Sequence, residues 1–420
     1  MIRALTIDDV PQIPRLLASE QGAHAEPSPH LRAVVENLLP RLFVKTPHAD
    51  PELPGLVSVG DDGRLTGMIG RITRRLEFRG RPIRAAVACE LFVDPAQRSQ
   101  MLGVKLLKKL MAGPQDLLFS DIANETSRRI WTGLGGSVAA WYGLTWVKVL
   151  RPAQFALSLL HKRRFGKLTG LAQPLAALTD KVCRGASRSL TQLAPTPNVL
   201  SEPLTPERFL ELFPEFSAMD ELRPVYDRET LDWIWQRLDF MYAAGPSEAV
   251  LVKSPRGEPL GWHISQMTDS RVVRVSQIVA LPNTVGTVFD HLLHQAAERG
   301  AVAVTGRVVP RFLQTFNDRN CILRRRSTHT LIHSPDRDLL DSFATGRAFL
   351  SLFESEGPLQ LWIKSPLALA RVRSENDLKS LNVEHKLATD TSWRAGCVSP
   401  PVAAETITVP SKTPLHQPRG

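Results

Sequence analysis

Residues 93–110 read VDPAQRSQMLGVKLLKKL. The apolar end of a strand, Leu91, Phe92 and Val93, runs into Asp94-Pro95, a polar turn, and then leucines and lysines at helical spacing. A strand, a tight turn and a helix N-terminus together make an anion site. The first amides of a helix have no intrahelical acceptor, and the helix dipole adds positive potential there. Arg98 brings a guanidinium to the turn, and Lys105, Lys108 and Lys109 raise the local potential. Close approach of a phosphate favours glycine, yet the turn holds only Gly103, and Met101 stands where a small residue is expected. Met101 is expected at a helical φ, which is open to any L-residue, so its cost would be steric only.

Outward from this stretch, the first 150 residues alternate between strand and helix patterns. IRALT is a strand, and Thr6 with Asp8 and Asp9 marks a helix start. Residues 10–19 and 31–44 carry helix-period apolar positions. LVSVG and LTGMIGRITRRLEF flank an Asp-Gly turn as a hairpin, and IRAAVACELFV, apolar on both faces, predicts a central strand. DLLFSDI is the next strand, NETSRRIWTGL a helix ended by Gly135-Gly136, and SVAAWYGLTWVKVL closes the half with one or two strands. From about residue 200 the same grammar resumes, with a hairpin around PRGEP, a central strand VVRVSQIVAL, a helix ended by Gly300 and a strand STHTLIHS. The fold class expected is α/β, a mixed sheet with helices on its faces, occurring twice. The boundaries are 1–150 and 199–365, with a helical linker at 151–198 and a polar, Pro-rich tail at 366–420 expected to be disordered.

At 420 residues the chain exceeds one ordinary core. Apolar runs stop well short of the roughly 20 residues a membrane span needs, and an acidic pair interrupts the N-terminus where a signal peptide would be apolar. The four scattered cysteines have no zinc or disulfide spacing, and no metal pattern is present. A cytoplasmic location is therefore expected. The net charge is +10, of which residues 151–200 hold +7: eight basic residues face Asp180 alone. That segment reads as a solvated linker, or as a peripheral membrane contact through 151–190 with Phe155, Leu157, Leu159 and Leu160 on its apolar side. A partner protein remains open, and without a zinc knuckle, RNP strand or helix-turn-helix pattern nucleic acid is the weaker candidate.

The order strand, VDPxxRxxxxG, helix resembles the acyl-CoA motif of the GCN5-related N-acetyltransferase superfamily, [Q/R]-x-x-G-x-[G/A]. It falls on Arg98, Ser99, Gln100, Met101, Leu102 and Gly103, followed by Val104. Asn124, a helix and Gly135-Gly136 resemble a second landmark of that family. The resemblance spans roughly residues 1–150 and implies two such domains in tandem, the second degenerate, because its turn ALPNTVGTVFDHLL lacks an arginine. It implies acetyl-CoA or another acyl-CoA as co-substrate and no metal. Leu91, Phe92 and Val93 would pair with the pantetheine, and the N-terminal helix turn and Asn124 complete the cofactor site. The acceptor implied is the amine of a small molecule or surface-polymer precursor, attacking the thioester directly. Glu90 is the candidate base, set against a simple pairing with Arg71 or Arg74, with Glu125 and Asp121 as lesser candidates. Trp131 stands at the position of the family's tyrosine acid, so Tyr142 is the substitute. Trp233, Trp235 and Trp262 are core residues or walls of an acceptor cleft. A non-catalytic scaffold of the same fold is the rival reading.

Overall fold

In this computed structural model, residues 1–20, 27, 29–44, 46–161, 191–241 and 247–354 are described. The basic run at 162–190 and the tail at 366–420 lie outside them. The first half runs β1 (Ile2–Ala4), α1 (Ile13–Glu20), α2 (Pro29–Phe43), β2 (Leu56–Val59), β3 (Leu65–Phe78), β4 (Arg81–Val93), α3 (Leu102–Met111), β5 (Leu117–Ala123), α4 (Glu125–Gly133), β6 (Ser137–Val138) and β7 (Leu144–Val149). After α5 (Pro152–His161) come β8 (Leu200–Pro203), α6 (Pro206–Phe216), β9 (Leu222–Pro224), α7 (Arg228–Met241), β10 (Glu248–Lys253), β11 (Pro259–Met267), β12 (Val272–Ala280), α8 (Val285–Glu298), β13 (Ala303–Arg307), α9 (Leu313–Asp318), β14 (Ile322–Arg325), β15 (His329–His333) and α10 (Arg337–Ala344).

The strands form two mixed sheets. One is ordered β1-β2-β3-β4-β5-β15-β6, with β9 added to the far end of β3; the other is β8-β10-β11-β12-β13-β7-β14. Each contains one parallel pair, β4 with β5 and β12 with β13. The two orders are the same, and in each the sixth place is taken by a strand from the other half of the chain. β15 lies between β5 and β6, and β7 between β13 and β14. Reading along the sequence, each half would close its own sheet. A run such as LTWVKV marks a strand but not its partner, because being apolar on both faces it fits the interior of either sheet.

The first sheet buries two faces. On one, α1 and α2 cover Val57, Met68, Ile72, Val87 and Phe119. On the other lies α3, whose Leu102, Leu106, Leu107 and Leu110 recur at helical spacing and are buried on Leu56, Ile69, Ala86 and Leu118. Each of these leucines contributes about 1.5–3 kcal/mol. Gly67 lets the helix sit close, since a Cβ there would press on Leu102 and Leu106 at 3.1 Å. Between the sheets, Arg307 at the end of β13 is ion-paired with Asp121 of β5, both buried. Phe155 of α5 packs against Val147, Val149 and Val272. Among the described residues no helix is long and apolar enough to cross a membrane.

Candidate functional site

The central strand β4 breaks its pairing twice, once on each side. Toward β3, Gly70 pairs with Cys89 and Met68 with Phe92, so Glu90 and Leu91 together oppose Ile69. This is a bulge, and within it Glu90 takes a left-handed backbone, with φ at 51°. The ring of Phe43 lies over Gly70, where a Cβ would collide with it. Toward β5, the parallel ladder has three rungs, Ala85 with Leu117, Ala86 with Leu118 and Val87 with Phe119, and then stops. β4 continues six residues past the last rung and β5 four, so the strands part as a fork.

From the mouth of the fork the chain turns into α3. The Asp94 side chain accepts from the Ala96 amide at 2.9 Å and its carbonyl from the Gln97 amide at 2.8 Å, which starts a short 3-10 turn over Pro95–Gln100. Met101 then precedes the helix at φ 55°, ψ 32°. The expectation of a helical φ is thus corrected: the chain reverses at Met101 through the left-handed region, where a glycine would be unstrained. The thioether is exposed, at 61%. Met101 supplies no side-chain cap, and helix geometry leaves the amides of Leu102, Gly103 and Val104 without intrahelical acceptors. Nothing in the protein's packing demands glycine at 103. A Cβ there would stand 3.5 Å from Val93 and 3.8 Å from Leu91, ordinary contacts. Gln100 is exposed at the turn, and the side chains of Arg98 and Ser99 lie outside the described residues. Replacing Met101 by Gly is expected to raise stability by about 1 kcal/mol through relief of the left-handed strain, read as a higher midpoint in thermal unfolding; a lower midpoint would contradict the strain.

The remaining sequence candidates divide into those near the fork and those built into the frame. Glu90 is 5% exposed at the bulge. Arg71 donates to the Leu110 carbonyl at 2.7 Å, while Arg74 lies over the Trp233 ring, 4.8 Å from its centroid. Asn124 caps α4, accepting from the Ser127 amide at 2.8 Å. Trp131 is buried and donates to Ile332 of the exchanged strand β15, and Gly136 is small because the indole lies against it. Tyr142 is buried edge-on to Phe343 with its hydroxyl donated to the Ala348 carbonyl, and burial pushes that hydroxyl well above the ordinary tyrosine range. It belongs to the frame rather than the fork. The hydrogen bonds of Arg128 pull exposed Glu125 down to about 2, and Asp121 is held by Arg307. His263 and His291 lie 3.4 Å apart, and burial pushes His263 down to about 3.

The second half repeats the fork in outline. β12 and β13 stop pairing at Val275 and Gly306, and the β11 register shifts at Ile264 and Ser265. At the start of α8, however, the Arg319 guanidinium stands 3.5 Å from where a Gly286 Cβ would be, held by a two-pronged pair with Asp290 at 2.7 Å. Its helix start is covered by the protein's own cation.

One cluster escaped the sequence reading. Arg74 of β3, Tyr226 between β9 and α7, and Glu354 beyond α10 line a cavity of about 20 Å³ with His48 and Phe119. Its members are scattered over the chain; of them the sequence reading named only Arg74, and that as a possible partner of Glu90.

No protein-family model and no curated protein matches the sequence. Among solved structures it is similar to a conserved protein of unknown function from Enterococcus faecalis V583, called a probable N-acyltransferase, at 9% identity and a TM-score of 0.50, over 82% of this chain and 73% of that one. It is also similar to GCN5-related N-acetyltransferases from Anabaena variabilis ATCC 29413, at 12% identity, TM-score 0.49, over 80% and 73% of the two chains, and from Kribbella flavida, at 15%, 0.47, over 80% and 71%. At 9% identity the first of these likenesses is one of fold alone, and the fold is the mixed α/β arrangement that the order of elements around residues 81–111 predicts.

Proposed function

We propose that this chain transfers an acyl group from an acyl-CoA to an amine, using the fork between β4 and β5 and the N-terminus of α3. The observation that carries the reading is the conjunction at one place of a parallel ladder ending at Val87 and Phe119, a bulge at Glu90, and an uncapped helix start at Met101. A pantetheine is a chain of amides and needs a strand edge beside it; its pyrophosphate needs amides converging at the far end. Gly103 fits this use, because the protein's own packing does not require its lack of a Cβ, whereas a phosphate laid on the backbone would. Leu91, Phe92 and Val93 offer the strand, Leu102 to Val104 the amides, and Arg98 and Lys105 the charge; Lys108 and Lys109 lie in the last turn of α3, Lys109 on the Ile2 carbonyl, away from the phosphate end.

In the reaction, the acceptor nitrogen attacks the thioester carbonyl, the C–S bond breaks, and an amide and CoA thiol result. Glu90 takes the proton released by the amine. With Tyr142 committed to the Ala348 carbonyl and Trp131 to Ile332, neither supplies the thiolate's proton. An alkyl thiol has an ordinary pKa of about 8.5, so the thiolate leaves readily enough to be protonated by water. Acetyl-CoA is the expected donor and a small-molecule or polymer-precursor amine the expected acceptor. The rival, a non-catalytic scaffold, draws on these same two frame residues.

Thermal unfolding with acetyl-CoA and longer acyl-CoAs separates the two. A ligand at about 100 times its Kd stabilises by about 2.7 kcal/mol, a shift of several degrees. No shift with any acyl-CoA at millimolar concentration would favour the scaffold.

A further inference from the structure

The cavity between the halves holds a cation whose hydrogen-bonding edge is unused. Arg74 is 8% exposed, its guanidinium lies flat on Trp233, and neither Nε nor Nη2 has a hydrogen-bond partner. Those two nitrogens share the edge of the guanidinium that meets both oxygens of a carboxylate. The neighbouring carboxylate, Glu354, is committed elsewhere. It accepts from the Tyr226 hydroxyl, from Gln277 at 3.1 Å, and from the amide and hydroxyl of Ser351 at 2.7 and 2.5 Å. The Trp233 ring and the nearby charge of Glu354 offset part of the guanidinium's desolvation, but the open edge leaves part of it uncompensated, which a bound anion would offset.

The cavity is placed to matter to the fork. Phe119, the residue of the last β4–β5 rung, is in its wall, and Arg74 itself lies on β3, the strand paired with β4. Its volume of about 20 Å³ holds one water or one small anionic head rather than a whole substrate. Val225, also in its wall, is exposed, so a ligand body can lie outside.

We infer that the Arg74 cavity is the subsite for a carboxylate carried by the acceptor, so that the amine acylated is an amino-carboxylate such as an amino acid. This rests on the acyl-transfer reading above. Both ends of the acceptor are then held, the carboxylate by the Nε–Nη2 edge and the amine toward the fork.

Two measurements on the full chain test it. In thermal unfolding, sodium formate is expected to raise the midpoint saturably by about 2 °C over sodium chloride at equal ionic strength. Arg74→Met, which keeps the packing on Trp233, and Arg74→Lys, which keeps the charge but not the edge, are expected to lose that shift. In thiol-release assays with acetyl-CoA, amino-carboxylates are expected to exceed the matched amines, glycine against methylamine and phenylalanine against phenethylamine, by about 10- to 100-fold in kcat/KM. Arg74→Lys is expected to erase the preference while leaving acetyl-CoA binding intact. Turnover of amines with no carboxylate preference, or a formate shift equal in wild type and both variants, overturns the subsite and leaves acyl transfer standing. A formate shift that needs Arg74, with no amine turned over and no acyl-CoA bound, overturns acyl transfer and the acceptor role together, and leaves an anion site.

Discussion

A chain divided after residue 198 is expected to yield two polypeptides that each fail to fold alone and assemble only when produced together. The exchange of β7 and β15 is the reason. The N-terminal piece would carry β7 with no sheet to enter and would have a gap between β5 and β6; the C-terminal piece would have the converse. The loss is large. Trp146 of β7 is fully buried, stacked on Phe316 at 5.2 Å and edge-on to Phe289 at 5.0 Å, and Val147 and Val149 are buried on the opposite face of the strand, against Val272 and Val302. Removing these three side chains from the two faces of the second sheet costs roughly 6–11 kcal/mol, set against a total stability of roughly 5–15 kcal/mol for a domain. In the first sheet, β15 contributes buried Leu331 and Ile332 and the carbonyl that receives the Trp131 indole. Circular dichroism and size exclusion read the outcome. A cooperative thermal transition from either piece alone would show that its sheet closes without the exchanged strand.

The exchange also marks the limit of what the sequence makes legible. The succession of elements is written locally: the Asp-Gly turn that Gly63 makes at φ 77°, the leucines of α3, the Thr205 cap of α6 accepting from the Arg208 amide. Which sheet a doubly apolar strand enters is not local, and neither β7 nor β15 announces it. The same holds for backbone conformation at the site. Met101 and Glu90 sit at positive φ although neither residue type favours it, so their strain shows only once the turn and bulge are built. The place Met101 occupies in the turn, where close approach of a phosphate would favour a small residue, was the one trace of it. Arg74, Tyr226 and Glu354 meet only because the halves do, and no spacing along the chain encodes their contact.

The two strained residues are not alike in what they hold. Met101 presents its side chain to solvent, whereas Glu90 carries a carboxyl into a 5%-exposed position at the fork. This bulge places position 90 in the left-handed region, a conformation that does not call for a glutamate and that glycine would fill at lower cost. Under the proposed acyl transfer, the strain at this buried acid is read as kept for the carboxylate. Two substitutions separate the backbone from the side chain. Glu90→Gln keeps the shape and removes the base, and is expected to lower kcat by about 10²–10⁴-fold with the acyl-CoA thermal shift unchanged. Glu90→Gly relieves the left-handed strain, and is expected to gain about 1 kcal/mol of stability while losing activity to the same degree. A residue that merely shapes the bulge would behave otherwise, with activity following stability and the glycine variant at least as active as the wild type. Thiol release measured beside unfolding midpoints distinguishes the two, and turnover by Glu90→Gln near the wild-type rate would remove Glu90 as the base.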